Sequence, residues 1–373
     1  DYLGVDPTRR SLTGTGGYVK VGRKGNAKWN FSETFTWSSP GFDLNDMGYM
    51  KETDYLMNET EIMYRQTDIW KIFRYNAFTL SQKNMWNYGG TPFSNNASLR
   101  WQSMTMNRYE WDVKETFAWN WLDSRLLRGG PDVRFGSYFL TSAKFNTDKA
   151  KRMMFMLKYE GDHNFEGNRF NTISPSLTFR LGNHVYLSGQ LDYAWNTDEM
   201  QYVATTSPLS SSSLAPYYYV MGHMDQKTYG LTLKLQVNVT PDISIQFYGA
   251  PFTSIAKYDD FKLAADTKSH TFENRFQRID PDQLTYADGV YTIGEGAGQM
   301  PFRNPDFRFN EFRSNLVARW EYLPGSTLYF VWEHRMSNRD NWYSSGWGSN
   351  LDRMWGLPAT NTFMIKMNYW FNL

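Results

Sequence analysis

The sequence predicts an all-β protein, specifically a transmembrane antiparallel up-and-down β-barrel. Three observations predict it. Aromatic residues make up 18% of the chain although its mean hydropathy is −0.62, polar and apolar residues alternate over long segments, and short and long connections alternate. An amphipathic sheet with one face in lipid and the other in water reconciles these properties. A large soluble β-protein rich in aromatics is the alternative that composition alone leaves open.

Charge and composition exclude several classes of protein. The 373 residues carry 39 basic and 38 acidic side chains, and this balance gives no basic surface for a nucleic-acid partner. The absence of cysteine excludes a disulfide scaffold, cysteine-ligated zinc and thiol catalysis. No apolar run approaches the ~18 residues of a membrane helix. We expect no metal site, because the acidic residues of 259–288 lack the spacing of a calcium loop, and a weak external divalent site is the alternative. We also expect no cofactor, and the glycine-rich segment 294–298 lacks the lysine and the following helix of a phosphate loop.

Period-two alternation marks the predicted membrane strands. It is clearest over residues 227–239, 312–322 and 185–195, where apolar side chains share one face and polar side chains the other. Strands of ~10–13 residues are long enough to cross a bilayer at a tilt. Aromatics near strand ends, such as Trp29 and Trp37, suit the two membrane interfaces.

Two predicted apolar faces each carry an acid, Glu33 and Glu115. The sequence leaves open whether these acids lie near an interface or under other protein.

Connections between the predicted strands alternate in length along the chain. The short ones, rich in Gly, Pro, Asn and Asp, are 24–26, 67–69, 107–108, 147–149, 182–183, 241–242 and 324–325. The long ones are 39–51, 84–95, 121–133, 161–170, 197–225, 257–306 and 337–360. Outer-membrane barrels have short periplasmic turns and long external loops. Alternation of connection lengths is therefore a consistency test, which the sequence passes.

Strand parity predicts an incomplete barrel. Counting back from a periplasmic C-terminus gives about fifteen strands, whereas single-chain bacterial barrels close with an even number. We therefore expect about sixteen or more strands in the closed barrel, with the N-terminal strands missing from residues 1–373. The alternative is that one hairpin has been missed or merged in the count.

The end of the chain has the pattern of a barrel-assembly signal. One face of the predicted last strand carries Phe363, Ile365, Met367, Tyr369, Phe371 and Leu373. A terminal amphipathic strand that ends in aromatics resembles the recognition signal of outer-membrane barrels. We therefore expect the barrel-assembly machinery and outer-membrane lipid to be partners of this chain.

Several segments together resemble one protein family. They are 39–48, Leu127-Arg128-Gly129-Gly130-Pro131, 224–228, 246–252, and 312–317 followed by 319–322 and 324–327. In the same order they resemble Bacteroidota outer-membrane proteins of unknown function, whose longer members carry an N-terminal carbohydrate-binding-like β-sandwich before a C-terminal barrel. The resemblance implies an outer-membrane barrel over residues 1–373 and no established activity. The sandwich and what looks like the first part of the barrel are missing, which puts a sugar-binding role in doubt.

Two groups of residues are candidate functional sites. Lumen-lining candidates on the predicted polar faces are Lys234, Gln236, Arg313, Arg319, Glu321, Glu333, Arg335 and Lys366. They could line an aqueous lumen, or pair across a plugged interior. External-loop candidates are Trp342, Tyr343, Trp347 and Trp355. These could form a sugar- or peptide-stacking surface, or simply interfacial aromatics with a self-packed loop.

The histidines give no indication of metal chemistry. His163, His223 and His270 fall in predicted loops and His184 at a tight turn, without metal-ligand spacing. His334 lies on a predicted apolar face, with Ser314 on the outward face of the adjacent strand. Outer-membrane barrels can host a lipid-facing catalytic histidine with a neighbouring serine and asparagine. We favour a single interfacial histidine and expect no catalytic residues and no enzyme.

Two functions from different classes remain. In the first, the barrel is a transport or translocation pore of unknown substrate. In the second, it is a non-enzymatic structural or assembly subunit docked to other outer-membrane or surface proteins. Conductance in planar bilayers separates the two, because a sealed scaffold conducts no ions.

Overall fold

One antiparallel sheet of sixteen strands dominates the molecule. The computed structural model describes residues 8–46, 48–119, 121–209, 216–341 and 346–371. In chain order the strands are β1 (Gly16–Arg23), β2 (Trp29–Ser38), β3 (Tyr55–Gln66), β4 (Phe73–Trp86), β5 (Pro92–Thr105), β6 (Glu110–Trp119), β7 (Trp121–Asp123), β8 (Val133–Phe135), β9 (Tyr138–Asn146), β10 (Met153–Asn164), β11 (Arg169–Leu181), β12 (Val185–Thr206), β13 (Tyr218–Asn238), β14 (Ile243–Ala264), β15 (Phe276–Arg278), β16 (Leu284–Ala287), β17 (Val290–Ile293), β18 (Met300–Arg303), β19 (Phe307–Leu323), β20 (Ser326–Asp340) and β21 (Thr360–Asn368).

Chain order sets the order of strands in the main sheet. The path runs β1 to β6, β9 to β14, then β19 to β21, and each neighbouring pair is antiparallel. β15 pairs with β14 off this path, while β7–β8 and β16–β18 form small separate sheets. The predicted all-β, up-and-down antiparallel architecture with about fifteen successive strands is confirmed. One α-helix, α1 (Trp347–Trp355), and three 3₁₀ turns were not predicted.

The sheet ends in two free edges. Among the described strands no pairing joins β1 to β21. Fifteen strands follow one another with alternating direction, so β1 and β21 run the same way. Direct closure would therefore require a parallel pair in an otherwise antiparallel sheet. Within the described part of the chain no helix is long and apolar enough to cross a membrane.

The predicted short turns all lie between paired strands, as at 182–184 and 324–325. Two connections predicted to be long, 84–95 and 161–170, are wrong. They shrink to 87–91 and 165–168 because the flanking residues continue as paired strands. For the same reason β12, β13 and β14 reach 22, 21 and 22 residues. His163 and His223 consequently lie in strands β10 and β13 rather than in loops.

The register joins the apolar faces of neighbouring strands into one surface, which we call the apolar face. One row of cross-strand partners runs through Leu187, Leu235, Phe247, Leu316, Trp332 and Phe363. Every residue in this row comes from a different strand, so the row spans β12 to β21 along the main path. The alternation predicted from sequence therefore describes the two faces of the sheet correctly.

Several large apolar side chains of the apolar face are exposed, and several small polar side chains of the opposite face are shielded, which is the reverse of the usual pattern in a water-soluble protein. On the apolar face Leu80, Leu99 and Ile365 are 55%, 57% and 72% exposed. On the opposite side, which we call the polar face, Ser32 and Ser98 are only 6% and 5% exposed. Soluble proteins bury large apolar side chains and expose polar ones, and a contiguous exposed apolar surface marks contact with a membrane or another protein.

Aromatic side chains of adjacent strands pack against each other on the apolar face. Trp29 packs against Tyr64 near the short turns, and Tyr193 stacks on Tyr229 nearer the long loops, with ring centroids 4.9 Å and 5.0 Å apart.

The two unexplained acids both have partners. Glu33 accepts a hydrogen bond from the Asn58 amide at 2.5 Å, and Glu115 accepts one from the Thr141 hydroxyl at 2.7 Å. Each acid is therefore satisfied by a neighbouring strand.

Candidate functional site: the polar face and the loop cap

The residues proposed to line a lumen all fall on the polar face. Lys234 lies opposite Ser188 and Tyr248, and Arg335 lies opposite Arg313. Gln236, Arg319, Glu321, Glu333 and Lys366 occupy alternate positions on the same side of their strands. Whether this face lines water remains a prediction.

Glu311 is the centre of a charge cluster that sequence reasoning missed. Its Oε1 lies 2.9 Å from a guanidinium nitrogen of Arg313 and 2.9 Å from one of Arg335. The glutamate is 14% exposed, whereas the two arginine side chains are 58% and 57% exposed. Two cations that face each other across β19 and β20 are thus held together by one shared acid.

Ion pairs on the polar face run along its surface. Arg319 donates to Glu321 on its own strand at 2.5 Å, and Arg100 on β5 donates to Asp112 on β6 at 2.7 Å and 2.5 Å. In the described strands these pairs join residues of the same strand or of adjacent strands. The sequence left open whether opposite charges pair across the interior. The ion pairs named here do not cross it.

Three connections meet at the long-loop end of the sheet. We call residues 121–137, 165–168 and 265–275 the loop cap. The first connection follows β6 and the third follows β14, and β9 to β13 lie between them in the sheet. Contact between such distant connections requires the sheet to curve back on itself.

Arg275 holds the loop cap together. Its side chain is 1% exposed, and its two terminal nitrogens donate to both carboxylate oxygens of Glu166, at 2.9 Å and 2.7 Å. The remaining guanidinium N–H groups donate to backbone carbonyls of Arg134, Ser269 and His270, at 2.8 Å, 2.8 Å and 3.3 Å. A planar guanidinium has five N–H donors in a fixed arrangement. This side chain therefore orders three connections at once.

Glycine 136 gives Glu166 the room it needs. The Gly136 backbone N–H donates to the carboxylate at 2.9 Å, and a Cβ on this residue would lie 2.5 Å from the Glu166 carboxyl carbon. No side chain larger than hydrogen fits there without displacing the ion pair.

A second set of contacts joins the first and third connections. The Thr267 hydroxyl donates to the Asp132 carbonyl at 2.7 Å, and the Lys268 ammonium lies 2.7 Å from the Asp132 carboxylate. The Arg134 backbone N–H donates to the Thr267 carbonyl at 2.9 Å. Burial lowers the pKa of Arg134, and the nearby charge of Arg275 lowers it further.

Apolar packing completes the loop cap. Leu127, Val133, Met200, Met221 and Phe276 form one buried cluster. It brings together the first connection, β12, β13 and β15.

The glycine-rich segment 127–131 turns sharply to reach this cluster. Arg128 and Gly129 have φ values of +51° and +107°, a region that favours glycine. A Cβ on Gly130 would lie 2.6 Å from the ring of Tyr219. The glycines at 129 and 130 thus allow Leu127 to be buried.

His223 lies in a polar cluster on the long-loop extension of β13, beyond the apolar rows. Its Nδ1 is 3.1 Å from Glu199 Oε1 and its Nε2 is 3.6 Å from Asp225 Oδ2. Burial acts to lower the pKa of His223. The hydrogen bond and charge of Glu199, with the charges of Asp225 and Asp259, outweigh burial and raise the pKa.

The proposed aromatic binding loop is partly described. Trp342 and Tyr343 lie outside the described residues, as does the side chain of Trp347, whose backbone begins α1. Trp355 ends α1, is 55% exposed and packs its ring 4.9 Å from that of Phe312 on the apolar face. A sugar- or peptide-stacking role for this loop remains a prediction.

Helix α1 covers the long-loop end of the apolar face. Its own residues Asn350 and Met354 are fully buried. Asn350 accepts a hydrogen bond at 3.4 Å from Arg308, which also pairs with Asp340. Helix α1 therefore shields Arg308, which lies on the same side of the sheet as Phe312, from solvent.

The proposed assembly signal lies on the free edge of the sheet. Phe363, Ile365 and Met367 project from the same side of β21, followed by Tyr369 and Phe371, and all are at least 60% exposed. Leu373 lies outside the described residues. Recognition of this segment by assembly machinery remains a prediction.

The fold and the site together define a class: an all-β protein with a wide up-and-down antiparallel sheet, two faces of opposite chemistry and a loop cap at one end. The chain belongs to the family described as domain of unknown function DUF5916, whose model matches residues 5–373. This confirms the expectation of an uncharacterised family. No curated protein and no solved structure matches the chain.

Proposed function

We propose that this chain forms the wall of a transmembrane β-barrel in the outer membrane of a Gram-negative bacterium of the Bacteroidota, where it acts as a transport or translocation pore. The observation that carries the proposal is the reversed burial of the two sheet faces. Large apolar side chains such as Leu80, Leu99 and Ile365 are exposed on the apolar face, while Ser32 and Ser98 on the polar face are shielded. Hydrocarbon contact accounts for the exposed apolar side chains, because each fully exposed leucine or phenylalanine would otherwise cost about 1.5–3 kcal/mol in water.

The polar face supports passage of polar solutes. Its charged residues pair along the wall, and the arginines beside Glu311 remain more than half exposed. Water or a polar solute can therefore reach them. Because both acids and bases occur on this face, we expect weak selectivity between cations and anions rather than a single-sign filter.

The loop cap would regulate passage at the external mouth. It joins connections from distant parts of the sheet through the buried Arg275–Glu166 pair. Opening would break this pair and expose the apolar cluster around Val133 and Met221. We therefore infer a pore that is closed at rest and opens when the loop cap rearranges.

Planar-bilayer recording of the purified protein tests the proposal. We expect rare conductance steps from the wild type and a higher open fraction from Arg275→Ala. The matched control is Arg278→Ala, which removes an exposed arginine three residues away on β15. Absence of conductance from both wild type and Arg275→Ala in verified insertions would reject a pore.

A non-enzymatic structural or assembly subunit is the second candidate, favoured by the two free edges. β1 and β21 run in the same direction and lack a described partner on their outer sides. Each unpaired backbone group in hydrocarbon costs several kcal/mol. One strand antiparallel to both edges would satisfy them, and in this second candidate another outer-membrane protein supplies it.

Site-specific photo-crosslinking tests the second candidate. A crosslinker at Val21 on β1 or Ile365 on β21 should join a defined partner, whereas one at Leu233, in the middle of the sheet, should not. A sealed subunit would also give no conductance steps. Equal crosslinking from edge and central positions would contradict docking through the edges.

A further inference from the structure

Three polar residues form one cross-strand row on the apolar face. Ser314 on β19 lies directly opposite His334 on β20, which lies directly opposite Asn361 on β21. Side chains directly opposite each other have Cβ atoms about 4.5–5.5 Å apart. All three side chains are therefore neighbours in an otherwise apolar region.

Hydrogen bonds indicate which ring nitrogen of His334 is the donor. Its Nδ1 lies 2.9 Å from Asn361 Oδ1, and the Trp332 indole N–H donates to the same oxygen at 2.9 Å. An indole N–H is a donor only, so the Asn361 atom it meets is the carbonyl oxygen. That oxygen also accepts a hydrogen bond from Nδ1–H, so in the neutral imidazole the lone pair that can act as a base is on Nε2.

Apolar groups pack around Ser314, which is buried in this structure. The cross-strand partner of Ser314 on its other side is Gly249, which has no side chain. A Cβ on Gly249 would lie 3.1 Å from the Phe247 ring and 3.8 Å from the Phe312 ring. The Phe312 ring also meets His334 edge-on, with centroids 5.8 Å apart. An acyl chain fits this surface better than a polar substrate does.

We propose that Ser314, His334 and Asn361 hydrolyse carboxylic esters of apolar acyl chains. This activity goes beyond a pore and does not depend on one. Ser314 is the nucleophile, His334 is the general base, and Asn361 is a positioning residue that orients the imidazole. The sequence alone led us to expect no enzyme, because it placed Ser314 beside His334 but could not bring Asn361 to the other side of the ring.

The reaction proceeds in two balanced steps. The Ser314 hydroxyl oxygen bonds to the ester carbonyl carbon while Nε2 of His334 takes the hydroxyl proton. The carbon–oxygen bond to the alcohol then breaks, and Nε2 returns that proton to the leaving alkoxide. A water molecule attacks the acyl-serine with Nε2 again taking a proton, which then passes to the Ser314 oxygen as the carboxylic acid leaves.

The experiment uses the full chain in detergent micelles, with a fluorophosphonate probe and p-nitrophenyl butyrate as substrate. We expect peptide mass spectrometry to place the probe on Ser314 in the wild type. Ser314→Ala should abolish both labelling and turnover, and His334→Ala should lower both by about 100-fold or more. Ser103→Ala and His163→Ala, which change other apolar-face residues, should leave both unchanged.

A separate measurement tests whether Asn361 positions the imidazole or only stabilises the fold, and the pH dependence of kcat distinguishes the two roles. Asn361→Ala should lower kcat and shift its pH profile, whereas Asn361→Asp, which keeps an oxygen acceptor for Nδ1, should restore most of the rate. The proposal is overturned if the wild type carries no probe on Ser314, or if folded His334→Ala is labelled as fast as wild type. Locating the probe on wild-type protein keeps the test valid even where a variant misfolds.

Discussion

Arg275→Ala should open the loop cap. The substitution leaves the Glu166 carboxylate, which is 13% exposed, without its guanidinium partner and with the Gly136 N–H as a remaining donor. Removing one partner of a buried ion pair costs about 3–5 kcal/mol. Since 1.4 kcal/mol corresponds to a tenfold change in an equilibrium constant, the open population should rise by roughly two to three and a half orders of magnitude.

A single cysteine reports this opening directly, because the chain contains none. Val133→Cys places a thiol at a fully buried position within the cap cluster. Its rate of reaction with a water-soluble maleimide is proportional to the open population while opening is rare. The rate should rise at least about 100-fold in Arg275→Ala and stay at the wild-type value in Arg278→Ala. An unchanged rate in Arg275→Ala would refute the role assigned to the ion pair.

Four further predictions follow from the same contacts. Glu311→Gln leaves its two arginine partners without their shared acid, so the reversal potential in a salt gradient should shift toward anion selectivity. Gly136→Ala should displace Glu166 and accelerate labelling of the cysteine reporter, although less than loss of the arginine does. Met354→Ala should weaken the packing of α1 against the sheet by about 2–5 kcal/mol. Limited proteolysis should then cleave within α1 faster than in wild type, and unchanged cleavage would contradict this. Because the folded pKa of His223 is raised, its stabilising effect is complete below the unfolded value of about 6.5 and is lost as pH rises through the folded value. The melting temperature should therefore fall over that range in wild type and less in His223→Gln.

The sequence predicted the parts of the fold in which polar and apolar side chains alternate. Alternation over residues 227–239 placed Leu233 and Lys234 on opposite faces, and the register confirms that placement. Short connections were equally predictable, because Gly and Pro between two strands, as at 324–325, strongly favour a turn.

Prediction failed where a strand lacks this alternation. Residues 197–206 belong to β12 yet were assigned to a loop, because alternation disappears where polar side chains such as Glu199 occupy an extension beyond the apolar rows. The loop cap was missed for a different reason. Glu166 and Arg275 are separated by 109 residues, and no local pattern links such positions.

Helix α1 and the Ser314–His334–Asn361 row show the same limitation. Nine residues from Trp347 to Trp355 form a helix that depends on burial of Met354 rather than on a long periodic pattern. The row requires the register of two strand pairs at once. A shift of one residue in either pair would move the histidine or the asparagine to the polar face.

Contact of the apolar face with lipid hydrocarbon is the claim on which the proposed function rests. Single cysteines at consecutive positions 231–236 of β13, labelled with a fluorophore in liposomes that contain brominated lipid, measure this contact residue by residue. We expect strong quenching at Leu231, Leu233 and Leu235 and little at Thr232, Lys234 and Gln236. Equal quenching at all positions, or none at the leucines, would contradict a membrane-spanning sheet.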